Sequence, residues 1–434
     1  MKKIIVSAAV AAMALSTTAS ALEDIKVNGQ AKVWYETNDA SVKTATNSND
    51  MFHKDRSSAE VAMKLGATGK QGNVSFEGEM TYGTTMGLEN ELVMAARTNA
   101  VQNDLFISKF NVTVPLIADT AVKLGRQELD TPLAFTEKWN AIQNNFDAAV
   151  LVNSSVTNLT LIGAYVGQTN ANADATANPY ANAWRAESTF EQMHGGAFAA
   201  AALYNDKTVA VNAWYYHVND TAATTGARGL GLTALGAVEG IGTTTAMWID
   251  AGVTMGDFGV KAYYASLNPD FKQYDDTTAL AVSASAKVAD FTISAAASQV
   301  SDYDSNVKLG ALPVGNVATG FKKTKLPTAG VYTDGLYVAQ PDSTAIKVKA
   351  AGKIAATGTG IAIQGIMNEN DSNKAVLAYG THNPLNTTEI DLIITQKLGD
   401  FDVKAILMNR DFEDKTTDKA SGGNYVRLIT SINF

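Results

Sequence analysis

Five charged side chains lie close together, at the end of one predicted strand and in the segment that follows it. They are Arg126, Glu128, Asp130, Glu137 and Lys138. Charges of both signs on a segment that enters a water-filled pore would set its limiting diameter and its local electric field. If the chain forms such a pore, residues 128–145 are the segment expected to constrict it, with these side chains at the constriction.

A second set of charged residues occupies alternate positions of predicted strands, where side chains on one face would line the same pore. These predicted wall residues are Lys32, Glu60, Lys64, Glu77, Glu79, Lys109, Lys123, Lys347, Lys349, Asp391, Lys404 and Arg410. Only a narrow ring of a pore sets its selectivity. Away from the constriction, such charges are therefore more often generic hydration of the lumen than selectivity elements.

The alternation of the strand places the Arg126 side chain on the lipid-facing side, not in the pore. An unpaired arginine on the lipid side of a regular strand would be costly. We predict that the strand ends or bulges by Gly125, which would turn Arg126 toward the lumen.

The chain lacks the residue patterns of common catalytic sites. It has no cysteine, only four histidines, no Gly-x-Ser-x-Gly elbow and no His-Glu-x-x-His motif. We predict that the protein is not an enzyme and holds no cofactor. Acidic residues in loops could gather oxygens around calcium, although none has the spacing of a dedicated calcium loop. They are Asp270, Asp275, Asp276, Asp302, Asp304, Glu369 and Asp371.

Apolar and polar residues alternate with a period of two over most of the chain, as in strands with two different faces. Residues 25–36 and 59–67 show the pattern clearly. No stretch after residue 21 reaches the roughly 18 consecutive apolar residues of a transmembrane helix. In a membrane such a chain must form a closed barrel, because only helices and closed barrels satisfy every backbone polar group in lipid.

The alternating segments predict an all-β fold, a transmembrane antiparallel barrel of about 18 strands. They lie near residues 25–37, 57–69, 72–84, 104–115, 119–128, 146–153, 157–168, 194–205, 207–219, 245–256, 257–268, 277–288, 289–301, 343–356, 357–369, 386–398, 400–412 and 422–434. Short connections with Gly, Asn and Asp alternate with long ones, as hairpins require. A barrel of about 16 strands would result if two weak segments were loops.

The long connections are predicted to lie together on one side of the barrel. They cover residues 38–56, 85–103, 129–145, 169–193, 220–244, 302–342 and 370–385. Within them, residues 87–96 have helical spacing, which predicts a short helix. The 302–342 loop is long enough to fold inward as a plug.

Aromatic residues lie mainly toward predicted strand ends, which is typical of the girdles at the two membrane interfaces. They include Trp34, Tyr35, Tyr82, Tyr165, Trp214, Tyr215, Tyr216, Trp248, Tyr263 and Tyr264. Because only Trp34 and a few others fall on the inward phase, a sugar-stacking ladder is not favoured.

The first residues predict export. Two lysines precede an apolar run over 4–15 and a stretch of small residues, so we expect a signal peptide over 1–21, cleaved after Ala21, and a barrel domain over 22–434. Without the two lysines, 32 of the 34 basic residues remain against 43 acidic ones, a net charge of −11. This acidic balance argues against nucleic acid as a partner.

The last ten residues largely alternate and predict the strand that closes the barrel. We assign Tyr425, Leu428, Ile432 and Phe434 to its signature. A terminal strand of this kind resembles the carboxy-terminal signature of bacterial outer-membrane barrels, which implies recognition by the barrel-insertion machinery.

Residues 122–132, Val-Lys-Leu-Gly-Arg-Gln-Glu-Leu-Asp-Thr-Pro, and 138–150, Lys-Trp-Asn-Ala-Ile-Gln-Asn-Asn-Phe-Asp-Ala-Ala-Val, resemble the Campylobacter-type major outer-membrane porins. That group is similar to substrate-specific channels for carboxylates and amino acids, and elsewhere the chain matches it only in architecture. The resemblance implies an eighteen-strand homotrimer in which a Leu-Gly-Arg-Gln-like strand end runs into a constriction loop that folds inward. It also implies a channel-bound divalent ion in some members.

These patterns predict an outer-membrane porin for passive diffusion of ions and small hydrophilic solutes through the lipid bilayer. The alternative is a structural or adhesive barrel with a plugged lumen, because loop lengths do not exclude one.

Overall fold

The computed structural model describes residues 23–40, 50–84, 86–88, 91–93, 95–96, 104–172, 185–219, 242–270, 274–303, 311–335, 337–370, 385–414 and 419–434. The predicted signal peptide lies outside these residues. So do most of the predicted loops 220–244 and 370–385.

The described residues form one sheet that closes into a barrel. Its strands are β1 (Glu23–Asn38), β2 (Ser57–Gln71), β3 (Val74–Thr84), β4 (Ala95–Ala96), β5 (Asp104–Ile117), β6 (Thr120–Gln127), β7 (Phe146–Val156), β8 (Leu159–Asn172), β9 (Arg185–Asn205), β10 (Val209–Val218), β11 (Thr244–Met255), β12 (Phe258–Pro269), β13 (Thr277–Val288), β14 (Phe291–Val300), β15 (Ser343–Ile354), β16 (Thr359–Asn370), β17 (Leu385–Leu398), β18 (Phe401–Asp414) and β19 (Lys419–Asn433). Every strand except the two-residue β4 belongs to the antiparallel wall. The wall therefore has 18 strands, and the predicted number is confirmed.

Two connections differ from the predicted ones. Strands β8 and β9 continue well into the predicted loop 169–193, because their pairing resumes with Gln168 opposite Gln192, beyond an irregularity in which Gly167 faces residues 193–196. In the predicted helix over 87–96, the carbonyl of Leu88 accepts the N–H groups of Leu92 and Val93 in a single turn. Strand β4 then pairs in parallel with β2 beyond the end of β3, which satisfies an otherwise open sheet edge.

Two 3-10 helices are among the described elements, at Lys54–Arg56 and Val317–Thr319. Within the described residues, no helix has the length and apolar character needed to cross a membrane.

The outer face of the wall is apolar, as the alternation predicts. Large side chains such as Leu280, Val282, Ile346 and Ile390 are more than half exposed on it. Most of the wall is paired residue by residue without bulges, so the residues that alternate with these outward side chains face the interior. An exposed apolar band of this extent needs a nonpolar surrounding.

The barrel closes where β19 pairs with β1, from Gln30 opposite Asn433 to Asn38 opposite Tyr425. At the end of this seam, Gly29 and Phe434 exchange two backbone hydrogen bonds of 2.7 and 3.0 Å. The Phe434 ring lies over Gly29, where a β-carbon would collide with it unless the ring moved.

The four predicted signature residues of the last strand do not share one face. Leu428, Ile432 and Phe434 lie on the outward phase, and Leu428 and Phe434 are well exposed. Tyr425 lies on the inward phase, and its ring centroid is 5.4 Å from that of Tyr332.

Part of the inner wall is apolar, which the aromatic pattern did not predict. Trp214, Tyr216 and Trp248 face inward rather than forming a girdle, and Tyr263 packs beside them. They are buried because residues 311–342, apart from residue 336, fold inside the barrel. Leu312, Val314, Phe321 and Leu326 of this inward segment form a hydrophobic core with the wall.

Candidate functional site

Residues 128–145 leave the wall after β6 and rejoin it at β7. The Lys32 ammonium group on the inner face of β1 donates to the carbonyl oxygens of Lys138 and Asn140, at 3.0 and 2.7 Å. The predicted inward loop is therefore present, and we call it the constriction loop.

Strand β2 holds the same loop through two side chains. The Glu60 carboxylate accepts the N–H groups of Ala141 and Ile142 at 3.2 and 3.0 Å. Lys64 donates to the Gln143 side chain at 2.8 Å. These bonds supply partners to loop groups that are removed from bulk water.

Lys32, Glu60 and Lys64 face inward as predicted, but the structure does not leave them on the open pore surface. Each is less than a tenth exposed, because the constriction loop covers it. Their direct role is to position the loop, since a buried charge cannot meet a passing solute.

The inward segment 311–342 joins the constriction loop through Asn316. The N–H of Phe135 donates to the Asn316 side chain at 3.2 Å, which donates back to the Phe135 carbonyl at 2.8 Å. The N–H of Val317 also donates to the carbonyl of Leu133 at 2.9 Å. The two inward elements therefore form one body, whereas the sequence predicted a single constriction loop.

Glu137 is buried at this joint instead of facing the pore. Its carboxylate accepts the Thr319 hydroxyl at 2.8 Å and the Asn316 amide at 3.2 Å. The indole N–H of Trp139 reaches it at 3.3 Å. Glu137 thus connects the two inward elements.

A second carboxylate on the wall, Glu389 of β17, binds the inward segment. It accepts the backbone N–H groups of Val331, Tyr332 and Thr333 at 2.6 to 3.2 Å, and the Thr333 hydroxyl at 2.9 Å. Arg410 of β18 lies 3.1 Å from it. Arg410, predicted to line the pore, is instead 5% exposed and partners Glu389.

A second buried ion pair lies next to the seam. The Nε atom of Arg427 is 2.7 Å from the Glu36 carboxylate, and the Tyr332 hydroxyl donates to the same carboxylate. The Arg427 guanidinium also lies over the rings of Trp139 and Tyr332, at 4.9 and 4.7 Å. Arg427 therefore touches the constriction loop and the inward segment at once.

A cluster of charges on β3, β5 and β6 is more exposed. Lys109 lies 3.5 Å from Glu77, 3.5 Å from Glu79 and 2.9 Å from Glu128. Lys123 lies 3.1 Å from Glu77 and borders a recess that opens toward the tight turns. These predicted wall and constriction residues are thus brought together.

Glu128 links this cluster to the constriction loop through Lys138, at 2.7 Å. Burial by itself would raise the pKa of Glu128, but hydrogen bonds and charges from Lys138 and Lys109 lower it to about 2. The Lys138 side chain is 61% exposed, so water reaches the constriction at this point.

The stability that Glu128 contributes should therefore depend on pH. A lowered pKa in the folded state makes this contribution complete above the unfolded value of about 4.3, and it is lost as pH falls toward the folded value. We expect Glu128→Gln to be less stable than the wild type at neutral pH and to approach it in strong acid. Urea titrations of the folded barrel in lipid vesicles would measure this, and an equal gap at both pH values would contradict it.

Asp130 pairs with Lys325 of the inward segment at 2.7 Å. Asp130 is 76% exposed, so the pair adds little stability but places two accessible charges on the surface of the inward body.

Arg126 does not turn toward the lumen, and that prediction is wrong. Strand β6 continues through Gly125, where φ is 112°, and its pairing keeps Arg126 on the phase of Leu124. The cost of an outward arginine is reduced by Asp147, its direct neighbour on β7, at 2.8 and 3.0 Å. The Phe190 ring covers the guanidinium at 3.3 Å.

The remaining predicted wall residues lie on β15 to β18. Lys347 donates to the carbonyl of Ala329 in the inward segment at 2.5 Å. Asp391 accepts the Gln364 amide at 2.7 Å. Lys349 and Lys404 are half-buried on the inner face.

Glu36, Glu389 and Arg427 are positioning residues that were not predicted from the sequence. Each is a charged residue on the inward phase of a predicted strand, which is the signal that identified the other wall residues. Their role was not visible, because it depends on the segment that covers them.

Among the described residues, no group of three histidine, aspartate or glutamate side chains has a geometry that could hold a metal ion. Asp304 and Asp371, which were considered for calcium, lie outside the described residues.

No protein-family model and no curated protein matches the sequence. Solved structures do match. OccK3 (OpdO) of Pseudomonas aeruginosa aligns with a TM-score of 0.65 and 13% identity, over 95% of this chain and 96% of that one. OccAB3 of Acinetobacter baumannii aligns with a TM-score of 0.63 and 11% identity, over 95% and 99%.

The outer-membrane protein OpdK of Pseudomonas aeruginosa aligns with a TM-score of 0.63 and 12% identity, over 95% of this chain and 98% of that one. At these identities the likeness is one of fold. It does not single out the Campylobacter-type porins that residues 122–150 resemble.

Proposed function

We propose that the protein is a bacterial outer-membrane porin through which ions and small hydrophilic solutes diffuse passively. The observation that carries this proposal is the combination of a closed barrel, apolar outside, with a charged interior narrowed by two inward elements. The accessible charges of the interior, among them Lys123, Lys138 and Asp130, keep the lumen hydrated, and the inward elements limit the size of what passes. The shared fold with outer-membrane protein OpdK supports the location.

Three finer points belong to the same proposal. The resemblance of residues 122–150 to the Campylobacter-type porins supports a homotrimer. The alternating last strand supports recognition by the insertion machinery. A calcium ion in the channel has no described site to support it.

The second candidate is a barrel plugged by the inward segment 311–342, and its packing against the wall favours this reading. The exposed charges of Asp130 and Lys138 favour the channel, since they show water on the surface of the inward body.

Reconstitution separates the two candidates. We expect stepwise conductance in planar bilayers, and swelling of liposomes in small sugars and amino acids but not in large oligosaccharides. Membranes that stay silent although the barrel is folded, as judged by heat-modifiable gel mobility, would favour the plugged barrel.

A further inference from the structure

The inward segment 311–342 is held to the wall in two different ways. Its first part, residues 311–326, contributes Leu312, Val314, Phe321 and Leu326 to the hydrophobic core. The following residues 329–335, which we call the tip, are held mainly by hydrogen bonds to charged wall groups. Elements held by few buried apolar contacts open at lower free energy than elements in a core.

The tip presents consecutive backbone donors in a geometry suited to an anion. The N–H groups of Val331, Tyr332 and Thr333 converge on the two Glu389 oxygens, and the Thr333 hydroxyl adds another donor. Successive N–H groups that point into one concavity form a nest, which binds anions. Arg410 adds a positive charge at 3.1 Å.

The fit around the carboxylate is close. A β-carbon at position 330 would lie 2.5 Å from Oε1 of Glu389 and 3.0 Å from the Ile366 side chain. Gly330 therefore lets the tip approach near enough for its N–H groups to reach the carboxylate. Glu389 itself is fully buried.

We propose that the 331–333 backbone and the Thr333 hydroxyl of the tip form, together with Arg410 of the wall, a carboxylate-binding site that Glu389 fills. This internal ligand holds the tip in its inward position and keeps the lumen narrow beside β17. The inference rests on the proposed channel function, because its consequence is read as conductance.

The test removes the internal ligand and supplies it again from solution. Glu389→Ala lacks the CH₂COO⁻ group, which acetate closely matches. In potassium chloride we expect Glu389→Ala channels to conduct about 1.5-fold more than the wild type, because the tip no longer narrows the lumen. In potassium acetate of equal ionic strength, the ratio of variant to wild type should return to about one, since acetate occupies the site.

Two controls define the specificity. Methanesulfonate has the same charge but a bulkier head group with three weakly basic oxygens, so the close fit beside Gly330 should keep it from restoring the ratio. Asp402→Asn removes an inner-face carboxylate on β18 that bonds Asn433 near the tight turns. It should conduct as the wild type does in every salt.

Gly330→Ala tests the same contact from the other side and leaves the wall unchanged. Its added methyl group should push the tip off Glu389, so conductance should rise in chloride and in acetate alike. If Glu389→Ala does not fold, judged by heat-modifiable mobility, Gly330→Ala decides the proposal by itself.

The outcomes distinguish this inference from the proposed function. A folded wild-type protein that gives no conductance would overturn the proposed porin function. A conducting wild type, with folded variants of unchanged conductance, would overturn only the role of Glu389. A raised conductance in Glu389→Ala that acetate does not reverse would overturn the carboxylate site.

Discussion

Arg427→Leu should lower the free energy of unfolding by about 3–5 kcal/mol, because it removes the cation that faces a buried carboxylate. The side chains of Arg427 and Glu36 are 3% and 4% exposed, and water cannot replace the lost partner without entering the wall. Arg427 also packs on Trp139 and Tyr332, so both inward elements should loosen with it. Urea unfolding in lipid vesicles, followed by tryptophan fluorescence, measures this effect.

A double-mutant cycle shows whether the loss comes from the unpaired charge. Adding Glu36→Gln to Arg427→Leu removes both charges and should recover much of the stability. The matched control is Lys70→Gln, which breaks an exposed pair with Asp24 and should cost at most about 1 kcal/mol. A stability of Arg427→Leu equal to that of Lys70→Gln would show that the buried pair contributes nothing.

Glu60→Ala should release the constriction loop and raise single-channel conductance about twofold, since the loop then no longer limits the lumen. The two N–H groups of Ala141 and Ile142 would lose their shared acceptor. Leaving such buried donors without a partner costs more than the net value of a hydrogen bond. The measurement is the conductance of single channels in planar bilayers.

Asp250→Asn is the matched control for Glu60→Ala. Asp250 is also a buried carboxylate on the inner wall, and it pairs with Lys261 and Asn212 on neighbouring strands rather than with a loop. Its conductance should stay near that of the wild type. Equal conductance in the two variants would mean that Glu60 does not position the constriction.

The wall could be predicted from sequence because its determinants are local. Each strand pairs mainly with its neighbours along the chain, and its two faces meet different surroundings, so alternation reports both the strand and the side. The constriction loop was also predicted, because residues 122–150 resemble a family in which a loop at this position narrows the channel. The extended pairing of β8 and β9 was not predicted, because the irregularity between Val166 and Gln168 interrupts the alternation there.

The inward segment was harder to predict, because its anchors are distant in sequence. Leu312 and Phe321 look like ordinary apolar residues of a loop until the wall residues that they cover are known. The same reason hid Glu389, whose partners lie more than 50 residues away. The alternation of β6 correctly places Arg126 on the outer face. Its ion-pair partner Asp147 could not be predicted, because the pair depends on the register of β6 and β7, which the sequence alone does not determine.

The seam between β1 and β19 has a consequence for the order of assembly. It joins Gln30 to Asn433, whereas every other wall pairing is between strands close in the chain. Bringing such remote segments together has an entropic cost that precedes any stabilising contact between them. The hairpins should therefore form first, and the pairing of β1 with β19 should form last. Until the barrel closes, β1 and β19 each have an edge with unpaired backbone N–H and C=O groups. Incompletely folded chains would aggregate by pairing through these two edges.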